Sequence, residues 1–175
     1  MIKVGILTIS DKGSKGERED KSGKVIAEII LRLNAQIIEY KIVPDEKEVI
    51  IDNLKNLVDN SGCELVLTTG GTGLSIRDVT PEATKEVIEK EIPGFGEIMR
   101  TIGFKSTPHA ILSRAMAGIR KQSLIINLPG SPKAIKECLE LILPAIPHGI
   151  EVLKGKVAEC GKKVRYSNPH FGHKF

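Results

Sequence analysis

Two hydrophobic periods alternate along this chain. Ile2–Ile9 is β-branched and almost wholly apolar, which predicts a strand buried on both faces. Ser10–Asp20 (SDKGSKGERED) is polar and carries two glycines, the pattern of a long loop. From Lys21 to Leu33 the spacing turns helical, with Val25, Ile26, Ile29, Ile30 and Leu33 on one face. Gln36–Val43 reads as a second strand, closed by Pro44. Asp45 and Glu48 then stand at capping-box spacing, Asp45 as N-cap, before a helix that turns Val49, Ile50, Leu54, Leu57 and Val58 toward a core. Glu64–Leu67 is a third strand and runs directly into TTGGTG, Thr68–Gly73. Thr80 followed by Pro81 marks a helix start, with threonine as cap and proline at the first position. Glu97–Ile102 reads as a further helical turn, after Pro93-Gly94. Met116–Arg120 and Ser123–Leu128 read as two strands joined by Lys121-Gln122. Ser131 and Pro132 open another helix, which Pro144 and Pro147 break or kink before a last helical stretch near Ile150–Lys154.

Strands alternating with helices predict an α/β fold of three layers, a mostly parallel sheet with helices on both faces. Ligands of such sheets sit beyond the carboxyl ends of the strands. Four polar or glycine-rich segments fall there: the loop after Ile9, the turn after Val43, TTGGTG, and LPGSP at Leu128–Pro132.

A length of 175 residues suits one domain with a full core, drawn here as residues 1–160 with a tail over 161–175. No apolar run is long enough to span a membrane, and the N-terminus lacks a signal-cleavage pattern, so a cytoplasmic protein is expected. Three scattered cysteines, Cys63, Cys138 and Cys160, form no CxxC pair and read as inert thiols. The net charge of +4 comes entirely from the tail, where Lys162, Lys163, Arg165 and Lys174 face no acid. With no basic face and only 3% aromatic residues, nucleic-acid binding is not expected.

The chemistry concentrates in a few places. Three glycines in TTGGTG allow positive φ and close approach of backbone amides to an anion; a tight turn without ligand is the alternative. LPGSPKA ends a strand and opens a helix whose free amides suit phosphate, although Ser131 and Lys133 read locally as a cap and a solvated cation. Asp78 lies two residues before Thr80. A carboxylate beside phosphate calls for a cation such as Mg²⁺; a surface pair with Arg77 is the simpler alternative. Asp45 reads locally as a cap, yet it is also a candidate catalytic or metal-binding carboxylate. His170 and His173 form an HxxH in the polar tail, His109 follows Pro108 in a loop, and no histidine set makes a convincing metal site. Lys21 and Lys24 read as solvated positions at a helix start.

The run TTGGTGLSIRDVTPEAT resembles the signature of molybdopterin adenylyltransferases, the MogA type of the MogA/MoaB molybdenum-cofactor biosynthesis family. ISD near the start, VPDE at Val43–Glu46, GFGEIMR and ILSRAMAGIRKQSLIINLPGSPKAIKECL fit the same type, in order, over roughly the first 155 residues. The same module resembles the G domain of gephyrin. The resemblance implies that molybdopterin is joined to AMP from ATP with Mg²⁺, pyrophosphate leaving. It implies catalytic or Mg²⁺-binding roles for Asp45 and Asp78. It implies molybdopterin and nucleotide contacts at Thr69, Gly70, Gly71, Thr72, Gly73, Thr80, Ser113, Asn127, Pro129, Gly130 and Ser131. A homotrimer and a molybdate-insertase partner are further implications. The alternative within the family is a non-catalytic molybdopterin-binding carrier of the MoaB-like branch. A scaffold role, as in gephyrin, is disfavoured because the chain has no second domain.

Overall fold

The apolar run at the N-terminus becomes β1 (Ile2–Ile9), an interior strand of a six-stranded sheet, in a computed structural model that describes residues 1–156. The boundary between 160 and 161, Cys160 and the His170/His173 pair lie outside the described residues. After β1 come α1 (Asp11–Ser14), α2 (Lys21–Ile30), β2 (Ala35–Val43), α3 (Lys47–Asp59) and β3 (Leu65–Thr69). The chain continues through α4 (Thr80–Val87), β4 (Lys90–Glu91), α5 (Pro93–Ser106) and a 3₁₀ turn at Pro108–Leu112. It ends with β5 (Ala117–Arg120), β6 (Ser123–Leu128), α6 (Pro132–Ile142) and α7 (Ala145–Leu153).

Strand order is β2-β1-β3-β6-β5-β4. The β1/β2, β1/β3 and β3/β6 pairs are parallel; β5 and β4 add antiparallel partners at one edge. Alternate side chains of the central strands feed two cores. Val4, Ile6, Leu65, Leu67, Leu124 and Ile126 pack with Ile26 and Ile30 of α2, Ile135 and Leu139 of α6, and Ile146 and Ile150 of α7. Leu7, Ile9, Val66 and Ile125 point the other way, to Ile50, Leu54 and Leu57 of α3 and Ala83 and Val87 of α4. The three-layer α/β expectation holds. Truncating a side chain such as Leu54, fully buried in the second core, would cost about 2–5 kcal/mol.

The structure corrects several local readings. The polar loop after β1 contains a helical turn, α1, because the Ser10 hydroxyl accepts the Gly13 amide and caps it. The capping box at Asp45 does not form. Glu46 occupies the cap position of α3 without a side-chain bond, and Asp45 is engaged elsewhere. Thr80 is not a side-chain cap either, since Val79 holds that position and the Thr80 hydroxyl donates to the Gly70 carbonyl. The Glu97–Ile102 turn extends to the whole of α5, whose Gly96 and Met99 are buried. Pro144 does separate α6 from α7, but Pro147 sits in the first turn of α7, where a missing amide costs little. Ser131 caps α6 as expected, accepting the Ala134 amide.

Candidate active site

The glycine turn lies at the point where the sheet reverses direction. From β1 the chain passes to β2 at one edge of the sheet, and from β3 it passes through α4 to β4 at the other, so the topological switch point lies between the carboxyl ends of β1 and β3. Gly70 and Gly71 occupy this crevice at φ +95° and +63°. A Cβ on Gly70 would stand 2.1 Å from the Ile9 carbonyl oxygen, and one on Gly71 2.4 Å from the Thr80 hydroxyl. Glycine is therefore required by close approach as well as by φ. Thr69 donates its hydroxyl to the Pro129 carbonyl at 2.8 Å, Thr80 donates to the Gly70 carbonyl at 2.9 Å, and the Thr80 amide donates to the Gly71 carbonyl at 3.0 Å. These bonds clamp the turn between the end of β6 and the start of α4.

Beside it opens a cleft of about 710 Å³. The ends of β1 and β3 supply Thr8, Ile9 and Thr69–Gly71 to its lining; Asp45 and Gly130 close two further sides. Residues 18–22 line it as well, bringing the cations of Arg18 and Lys21 to the crevice. Ser22 donates its hydroxyl to the Gly130 carbonyl at 2.7 Å, joining the start of α2 to the LPGSP turn.

Asp45 is oriented by a reciprocal pair of contacts with Asp11. The Asp11 amide donates to Asp45 Oδ2 at 2.7 Å, and the Asp45 amide donates to Asp11 Oδ1 at 3.0 Å. Asp45 Oδ1 lies 3.3 Å from where a Cβ of Gly71 would be, so the carboxylate faces the glycine turn. Burial pushes the Asp45 carboxyl above its ordinary range; the Asp11 amide pulls it back, and the charges of Asp11 and Asp78 push it up again against the pull of Arg77. Asp78 stands in the adjoining 73–78 loop rather than in the cleft lining, and its Oδ2 accepts the Ser75 amide at 2.8 Å. Arg77 does not pair with Asp78. Its guanidinium forks onto Asp11 at 2.8 and 3.1 Å and reaches Glu46 at 2.9 Å. That fork holds the Asp11 carboxyl below its ordinary range.

Among the described residues, no group of three or more His, Cys, Asp or Glu forms a metal cage. A phosphate-bound Mg²⁺ needs only one or two carboxylates. The donor set fits such an ion: Asp45 is half-buried, faces the turn, and has the carboxylates of Asp11 and Asp78 nearby, with Arg77 offsetting part of their charge.

Of the other expected contacts, Thr69, Gly70, Gly71 and Gly130 line the cleft. Thr72, Thr80 and Asn127 are buried instead. Asn127 Nδ2 donates to the Thr68 and Thr84 hydroxyls at 3.0 and 2.9 Å, tying β6 to β3 and α4. Pro129 contributes the carbonyl that takes the Thr69 hydroxyl, and Ser131 is the α6 cap. Gly73 packs on Asp78, its Cβ position 2.9 Å from Asp78 Oδ2. Ser113 lies beyond the loop; its own hydroxyl accepts the Ala115 amide, and its neighbour Arg114 is the residue that reaches the loop. Sequence reading missed Arg18, Lys21 and Ser22 as lining residues and Asp11 as a partner of Asp45. The available signals were the ISD motif, which contains Asp11, and the polar loop beyond the carboxyl end of β1.

A crevice of this kind defines an open α/β protein that takes its ligand at the topological switch point. Residues 5–148 match the family described as probable molybdopterin binding domain, and the chain belongs to that family, in its MogA/MoaB group. It is 51% identical to the molybdopterin adenylyltransferase of Helicobacter pylori strain J99 over 93% of each chain. The molybdopterin adenylyltransferase of Escherichia coli K12 is 43% identical, over 93% of this chain and 91% of its own. The crystal structure of the molybdopterin biosynthesis enzyme MoaB from Thermus thermophilus superposes with a TM-score of 0.84 at 47% identity. It covers 91% of this chain and 100% of the other.

Proposed function

We propose that this protein is a molybdopterin adenylyltransferase of molybdenum-cofactor biosynthesis. An oxygen of the terminal phosphate of molybdopterin attacks the α-phosphorus of ATP. The bond from that phosphorus to the bridging oxygen of the β-phosphate breaks, and pyrophosphate leaves with the electron pair. Two anions must meet, so the site has to cancel their repulsion. The observation that carries the reading is the half-buried Asp45 carboxylate facing the Gly70-Gly71 turn, with a second carboxylate, Asp78, in the next loop. Binding alone gains nothing from acids beside phosphates; transfer with a divalent cation does. Asp45, with Asp78, would hold Mg²⁺, which supplies neutralisation of the phosphate charge when bound. The turn amides at Gly70 and Gly71, with Lys21 and Arg18 across the cleft, receive phosphate oxygens. Thr72, Gly73, Thr80, Asn127, Pro129 and Ser131 act by shaping the walls.

Phe104, Ile111 and Leu112, exposed together at the α5 corner, support the homotrimer that the family resemblance implies. A molybdate-insertase would take the adenylylated product. Among the described residues no helix is long and apolar enough to cross a membrane, which agrees with a cytoplasmic setting.

Incubation with molybdopterin, ATP and Mg²⁺ tests the reading directly. Adenylylated molybdopterin and pyrophosphate are expected, both lost with EDTA. Asp45→Asn and Asp78→Asn should keep the fold and molybdopterin binding while transfer falls by about 10²-fold or more. Full turnover in both variants would refute the assignment.

A further inference from the structure

Asp45 and Asp78 arrive from separate parts of the chain, yet one loop controls the placement of both. Residues 73–78 leave the glycine turn and return to α4, and Arg114 ties the two ends of that excursion together. Its Nε donates to the Gly73 carbonyl at 2.8 Å, one terminal nitrogen donates to the Asp78 carbonyl, and the other pairs with Glu82. Its backbone amide donates to the Thr72 carbonyl at 2.9 Å, fixing the root of the guanidinium. Inside the loop, Asp78 accepts the Ser75 amide at 2.8 Å and returns its own amide to the Ser75 carbonyl at 2.9 Å. The Asp78 side chain is therefore set by the span that Arg114 draws closed.

The same loop carries Arg77 outward. Its fork grips Asp11, and Asp11 in turn exchanges amide-to-carboxylate bonds with Asp45. A continuous chain runs from Arg114 through the loop to Arg77, Asp11 and Asp45, while a second, shorter branch ends at Asp78. Apart from the peptide bond between Arg77 and Asp78, every link is a hydrogen bond or ion pair of named partners. Leu74 and Ile76 are 65% and 96% exposed, so apolar packing does little to hold the loop.

Building on the adenylyl-transfer reading, we infer that Arg114 is a positioning residue that sets both carboxylates through the 73–78 loop. Its planar fork matters, because three fixed nitrogens address the Gly73 carbonyl, the Asp78 carbonyl and Glu82 at once, an arrangement that a point-charge ammonium on a flexible stem does not reproduce. Arg114 has no contact with the cleft, and its effect falls on geometry. Loss of that geometry lowers kcat and spares the affinity for ATP.

The test is Arg114→Lys, read by two measurements. Amide exchange followed by NMR should quicken by about tenfold or more at Ser75 and Asp78, and also at Asp11 and Asp45, whose amides report the far end of the chain. Turnover should fall by about 10- to 100-fold in kcat, with the KM for ATP within about threefold of native. Arg120→Lys is the stability match. Arg120 makes a comparable fork, to Asp59 and the Val87 carbonyl, remote from the cleft. Its loss should lower the Tm similarly while leaving the four exchange rates and kcat unchanged. Native-like exchange at the four amides in Arg114→Lys, or kcat within about twofold of native, overturns the inference, as does an equal kcat loss in Arg120→Lys. If the native protein transfers no AMP, the adenylyltransferase reading fails by itself, and the four exchange rates still decide whether Arg114 holds both carboxylates.

Discussion

Replacing Gly70 by alanine would place a methyl carbon 2.1 Å from the Ile9 carbonyl oxygen, where real Cβ contacts stay beyond 3.0 Å. The turn or the end of β1 must then retreat by about 0.9 Å, the gap between those two distances. Both are backbone, so no side-chain rotation relieves the clash. The φ of +95° adds strain for an L side chain, about 1–3 kcal/mol. Overpacking contributes a similar amount, so the total is about 2–6 kcal/mol. For a domain of this size each kcal/mol lowers the Tm by about 2–4 °C, giving a fall of about 4–24 °C. Calorimetry or a urea titration reads the stability, and AMP transfer reads the site, because the retreat carries Gly71 and the cleft wall with it. Gly149→Ala is the opposite case. Gly149 lies inside α7 with open space around its Cβ position, so alanine should stabilise by about 0.5–1 kcal/mol. Gly70→Ala with an unchanged Tm and native turnover would refute the close-approach argument.

Other consequences can be measured as simply. Arg120 and Lys121 hold the Asp59 carboxyl down to about 2, from an ordinary 3.8, so the stabilisation is complete above about 3.8 and is lost as pH falls through 2. Asp59→Asn should cost about 1 kcal/mol at pH 7, after allowance for solvent screening, and the gap from native should close in acid titrations; a constant gap down to pH 2 would contradict this. Burial pushes the Cys63 and Cys138 thiols up to about 11, leaving about a thousandth as thiolate at pH 8. In a Cys160→Ser background, disulfide reagents should label neither thiol until the protein unfolds. Asn127→Ala should destabilise by about 2–4 kcal/mol, because it strands the Thr68 and Thr84 hydroxyls. The folded fraction should keep its turnover to within about threefold; a selective loss of kcat would restore Asn127 as a ligand contact.

The central strands were legible because their apolar runs admit few alternatives. Ile2–Ile9 and Ser123–Leu128 occur at the boundaries read from the sequence. Helix α5 was legible only in part. Gly94, Gly96 and Gly103 weaken its local signal, and packing restores it, with Gly96 set close against the Ala115 carbonyl. At Asp45 the local pattern misled: its spacing to Glu48 is that of a capping box, but a backbone amide 34 residues earlier takes the carboxylate. Thr80 misleads for the same reason, since the Gly70 carbonyl that takes its hydroxyl comes within reach only through the fold. Lys21 could not be recognised as a cleft residue without knowing that the start of α2 folds back toward Gly130. The glycine turn was legible as a place of positive φ and close backbone approach. Its ligands were named by the motif resemblance, since no spacing rule distinguishes molybdopterin from another phosphate.

The cleft lining is drawn from residues 8–22, Asp45, 69–71 and the turn at 130–132. No short stretch of chain carries enough of it to bind alone. The site comes into being only when β1, β3 and β6 are aligned, so its ligand recognises the assembled sheet and ignores partly folded chains. Molybdopterin or nucleotide then acts as a stabiliser of the native state by mass action, worth about 2.7 kcal/mol at a hundredfold excess over Kd. Protein made while its substrate is scarce would be the more easily degraded, and its abundance would follow the supply of the compound it consumes.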